Sequence, residues 1–116
     1  MNKKLNHIFS KSRKEHHLLI NDLAHILNID QSNLSRFEAG KLSLPKAQAG
    51  YHILFNLSTQ NSLGQVFDSG VKTLIDRCFS LSEKLQESPP TLKNSLRSEG
   101  LDRIIRHLMA LENDHE

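Results

Sequence analysis

Apolar residues along this chain recur at intervals of three and four rather than two. That spacing lines one side of an α-helix, and no Asn-Gly or Asp-Gly hairpin signal interrupts it. Leu5, Ile8 and Phe9, followed by Ser12, predict a first helix over 2–15. Leu19, Leu23, Ile26 and Leu27 predict a short second helix near 20–27. Asn28-Ile29-Asp30 breaks the rhythm, and the Asp30 carboxylate suits an N-cap. A third helix is then expected from Gln31 to Ala39, with Leu34 and Phe37 inward and Gly40 at its C′ position. Pro45 fits the first turn of a fourth helix, whose apolar set is Ala49, Ile53, Leu54 and Leu57.

Residues 58–61 are polar and read as a linker. Ser62 and Gln65 fit a capping box, an N-cap hydroxyl with a reciprocating amide. Phe67, Val71, Leu74, Cys78, Leu81 and Leu85 then recur at spacings of four and three, a coiled-coil-like seam. Ser88-Pro89-Pro90 stops that helix. A last helix carries Leu101, Ile104, Ile105, Leu108 and Leu111. It is expected to start near Ser98 or Glu99, after a short helical lead-in at Leu92 and Leu96.

The predicted fold class is all-α, with a helix bundle over 1–60 and a helical region over 61–116. The seam can fold back as ordinary core or pair with a second copy. Seam and last helix together carry more apolar surface than one small module absorbs, so a dimerisation region is expected.

Composition narrows the function classes. Of 116 residues 37% are hydrophobic, with five Phe, one Tyr and no Trp, which allows a modest core. Cys78 is the single cysteine, so no internal disulfide can form. No apolar run reaches membrane-spanning length, and no signal-like apolar stretch follows Met1-Asn2-Lys3-Lys4-Leu5. A cytoplasmic protein is expected. Residues 1–60 hold eight Lys/Arg against four acids, and 61–116 hold seven against nine. A basic half joined to an acidic half points to a polyanion partner for the first. The seven histidines show no i, i+4 ligand pair, so no metal or cofactor is expected. No nucleophile elbow, Gly-rich phosphate loop or paired-carboxylate arrangement appears, so no enzyme is expected.

Two short helices joined by a three-residue turn describe a helix-turn-helix. The stretch 22–40, with Leu23-Ala24, the apolar turn residue Ile29, Gln31-Ser32 and Ser35-Arg36-Phe37-Glu38-Ala39-Gly40, resembles the lambda-repressor and Cro (XRE-type) DNA-binding family. The likeness spans about residues 5–57. It implies that Gln31, Ser32 and Arg36 read bases, as an amide pairs with adenine and a guanidinium with guanine. It places Asn33 and Ser35 at the groove edge or on phosphate, and Lys41 on phosphate. Arg13 and Glu38 stand where family members carry a structural ion pair. Two departures matter: Leu19 and Ile20 replace the usual hydroxyl cap and phosphate-touching Gln, and Ser12 replaces an apolar residue.

The expectation is a sequence-specific DNA-binding regulator, a homodimeric repressor of a palindromic operator. The alternative is an antitoxin-like module that binds a partner protein through its C-terminal helices and autoregulates through the helix-turn-helix.

Overall fold

Six helices and no strand make up the described part of the chain: α1 (Lys3–Glu15), α2 (Ile20–Leu27), α3 (Gln31–Glu38), α4 (Pro45–Phe55), α5 (Val71–Glu87) and α6 (Leu92–Asn113). The structure is a computed structural model and describes residues 3–57 and 70–113, with side chains from His7 onward. The expected linker at 58–61, the capping box at Ser62 and Gln65, and Phe67 of the seam lie outside the described residues. Among the described residues no helix is long and apolar enough to cross a membrane.

Helix ends follow a common local chemistry. Asp30 caps α3 by accepting the Asn33 N–H at 3.2 Å. At the other end of α3, Lys41 N–H bonds Arg36 O and Gly40 N–H bonds Phe37 O, a Schellman motif with Gly40 at φ 78°. The same wrapped ending closes α1 with His17 at φ 59°, where Leu18 N–H reaches Arg13 O. Asn28 and Asn56, at φ 55° and 52°, end α2 and α4. Asparagine tolerates this left-handed geometry better than most residues. The turn 28–30 is thus fixed by a left-handed Asn followed by an Asp cap.

One continuous core runs through the molecule rather than two separate ones. Phe9 of α1 stacks on Phe37 of α3 at 5.2 Å and meets Tyr51 of α4 edge-on at 5.4 Å. Tyr51 in turn meets Phe55 edge-on. Nearly every position of α4 from Ala47 to Phe55 is buried, so it is a central helix and not the one-sided helix expected. The inward side of α1 also differs from the expected stripe. Phe9, Ser12 and Arg13 are buried whereas Ile8 is 43% exposed, because α1 is oriented by Phe9 and by polar bonds from Arg13.

Helices α5 and α6 form the most extensive helix pair, joined by the turn 88–91. The Thr91 hydroxyl accepts the Asn94 N–H, so α6 begins at Leu92 and absorbs the expected lead-in into one continuous helix. The seam residues Val71, Leu74, Cys78, Leu81 and Leu85 all lie buried within this one chain. Within one chain those five are core residues. A short turn holds α6 at high effective concentration, and its apolar stripe of Leu101, Ile104, Ile105 and Leu108 packs over the seam. Burial pushes the Cys78 thiol up to about 12, as suits a small core residue.

The hairpin closes onto the first four helices through backbone contacts as well as apolar ones. Arg77 donates to Ile26 O at the C-terminal end of α2, and His107 Nε2 donates to Ile53 O at 2.8 Å. Gly100 lies so close to the chain after α1 that a β-carbon there would sit 1.9 Å from His16 O.

Candidate nucleic-acid interface

Helix α3 has two unlike sides. Leu34 and Phe37 are 0% and 2% exposed, and both face the core. Gln31, Ser32, Asn33, Ser35 and Arg36 are all exposed. At about 100° per residue, Gln31 and Ser35 stack one turn apart, as do Ser32 and Arg36. These four make one contiguous patch, so Ser35 lies within it and not at its edge. Asn33 falls on the opposite flank, next to the Phe37 row. Among the described residues, no hydrogen bond or ion pair engages the side chain of Gln31, Ser32, Ser35 or Arg36.

Lys41 is exposed just beyond Gly40. Its backbone N–H is already bonded to Arg36 O, which leaves the ammonium as its donor for an outside partner. The Asn33 N–H is likewise taken by Asp30. Helix α3 therefore offers side chains rather than that part of its N-terminal backbone.

The inward edge of α3 is held by charge. Arg13 Nε donates to Glu38 Oε2 at 2.8 Å and Nη2 donates to Oε1 at 2.9 Å, a two-pronged pair. The two side chains are 11% and 7% exposed. Tyr51 Oη also donates to Glu38 Oε2, and the third Arg13 nitrogen, Nη1, donates to Leu18 O at 2.9 Å. Burial works against the Arg13 charge, but bonding to and attraction by Glu38 outweigh it, and its pKa sits above the ordinary value. Burial, then the Glu38 charge, pushes the Tyr51 phenol up, so it stays a donor. Four segments of chain meet at this carboxylate–guanidinium pair: α1, the α1–α2 turn, α3 and α4.

The start of α2 shows what stands in for a hydroxyl cap. Leu19 occupies the N-cap, and its N–H donates to Asp22 Oδ2 at 2.8 Å. Asp22 is 2% exposed and pairs with Arg97 of α6. Sequence reasoning missed both this pair and the Tyr51 bond. Asp22 was visible as a carboxylate bordering an apolar stripe, but nothing local pointed to a partner 75 residues away. Tyr51 was visible as the one Tyr of the chain.

Comparison with known proteins finds no matching family model, no matching curated protein and no matching solved structure. The functional reading therefore rests on the residues of this chain.

Proposed function

We propose that this chain is a sequence-specific DNA-binding transcriptional regulator in which α2 and α3 act as a helix-turn-helix and α3 reads the major groove. One observation carries the reading. Helix α3 is anchored on its inner side by Leu34, Phe37 and the Arg13–Glu38–Tyr51 cluster, while Gln31, Ser32, Ser35 and Arg36 stand exposed and unpaired on its outer side. A rigid helix with uncommitted amide, hydroxyl and guanidinium groups suits base-edge recognition. The basic surplus of residues 1–60 favours approach to the phosphate backbone. Lys41 adds a phosphate contact, and Asn33 borders the groove.

The regulator acts as a homodimeric repressor, occluding promoter DNA at half-sites about 34 Å apart or a multiple of that. The described seam residues of α5 are buried within the chain, so a dimer contact would use other surface.

Selection from a random duplex library at fixed, near-physiological salt tests the reading, with Gln31→Ala/Arg36→Ala protein as control. An enriched palindrome that the variant fails to enrich is the expected result. Arg36→Ala alone should cost about 1–3 kcal/mol at one base position. No enrichment overturns the reading and favours a partner-binding, antitoxin-like module, whose partner would then be sought by co-purification.

A further inference from the structure

We propose that the groove between the α1–α2 turn and the start of α6 is a binding site for a free aliphatic carboxylate. The groove has a volume of about 450 Å³, within the range of small-molecule sites. Its apolar lining comes from Leu18 and Leu19 on one side and Leu92 and Leu96 on the other. Leu92 is 76% exposed, the most exposed of the large apolar side chains described. A leucine so placed gains by being covered.

The charge at the rim selects the occupant. Among the described residues lining the groove are Arg13, Lys14 and Lys93, and none is acidic. Arg13 is committed to Glu38 and to Leu18 O, whereas Lys14 and Lys93 are exposed. Lys14 and Lys93 come from α1 and α6, one from each wall, and each offers an ammonium at the groove to an anionic head. A chain of methylenes along the leucines with a carboxylate at the lysines satisfies both features; a neutral or cationic amphiphile satisfies only the first.

The test is titration of octanoate into the ¹⁵N-labelled full chain, followed by amide spectra, with octanol and octylammonium as comparators. The expected result is saturable shifts clustered at Lys14, His17–Leu19 and Leu92–Leu96. Affinity should rise about fourfold per added methylene from hexanoate to octanoate. Lys14→Glu/Lys93→Glu, at two exposed positions, should weaken octanoate about tenfold or more without moving the unfolding midpoint. Non-saturating or scattered shifts would overturn the proposal. So would equal binding of octylammonium or octanol, or indifference to the double substitution. Capture by anionic vesicles without a saturable octanoate response would also overturn it, in favour of a lipid surface. The titration contains no DNA, so its outcome is independent of whether α3 reads bases.

Discussion

Arg97 and Asp22 lock the last helix to the second across 75 residues of chain. Nε donates to Oδ2 at 3.0 Å and Nη2 donates to Oδ1 at 2.5 Å. The same Oδ2 accepts the Leu19 N–H, so the carboxylate that starts α2 has its charge met from α6. A chain that lacks a hydroxyl at the N-cap thus still satisfies one free N–H of its second helix.

Breaking this pair from one side should be costly. Arg97→Met leaves a carboxylate that is 2% exposed without its counter-charge, and about 3–5 kcal/mol should be lost in urea unfolding. Asp22→Leu/Arg97→Met removes both charges and should recover most of that loss, short of about 1 kcal/mol for the forfeited cap. A double variant no more stable than Arg97→Met would show that the pair stabilises the fold by more than mutual neutralisation.

The cluster behind α3 predicts a graded series. Glu38→Ala strands the Arg13 guanidinium and removes the acceptor of Tyr51, so a loss of about 3–5 kcal/mol is expected. Tyr51→Phe removes one bond to a charged group but keeps the ring against Phe9 and Phe37, and should cost about 1.5–3 kcal/mol. Denaturant melts of the two variants check the order; Tyr51→Phe matching or exceeding Glu38→Ala would contradict it.

Gly100→Ala sets helix propensity against packing. In an open helix the change should stabilise by about 1 kcal/mol. Here the new methyl meets the His16 carbonyl at 1.9 Å, and a backbone atom cannot rotate away. A net loss of about 1–3 kcal/mol is expected as α6 shifts off the end of α1. Thermal unfolding gives the sign directly, and any rise in midpoint would mean the two segments separate freely.

Histidine burial predicts a loss of stability on mild acidification. Burial lowers the pKa of His16, with the Ser12 carbonyl pulling the other way, and burial lowers that of His52. Their unfolded value is about 6.5. Above that value both rings are neutral in both states and their stabilising preference is fully present. As pH falls through it the unfolded chain takes up protons first, and stability drops until the lower folded values are passed. His52 packs edge-on against Phe9, and its Nδ1 is buried without a hydrogen-bond partner among the described residues. His52→Leu should therefore flatten the fall in unfolding midpoint from about pH 7.5 to about pH 5; an unchanged slope would assign the pH response elsewhere.

Features legible in the sequence were those whose causes lie within a turn or two of chain. The inward residues Leu23, Leu27, Leu34 and Phe37 follow from 3.6-residue periodicity. The Asp30 cap, the Gly40 ending and the start of α4 at Pro45 follow from the needs of unpaired helix-end groups. The polar outer side of α3 was equally readable, since it is what remains when Leu34 and Phe37 point inward. The Arg13–Glu38 pair was legible through the family resemblance alone, because no local rule joins residues 25 apart.

Tertiary structure decided the rest. Periodicity places Val71, Leu74, Cys78, Leu81 and Leu85 on one stripe but does not say what covers it. An α6 tethered by four residues covers it here, because an intramolecular partner forgoes the entropy cost of bringing two chains together. Nor could spacing reveal that Arg97 neutralises Asp22, or that Gly100 admits the His16 carbonyl. The sequence by itself determined the inward stripe of α2 and α3 and the caps that bound them, because those depend on neighbours three or four positions away. Only the folded chain determined which inward face meets which, because that depends on every helix being packed at once.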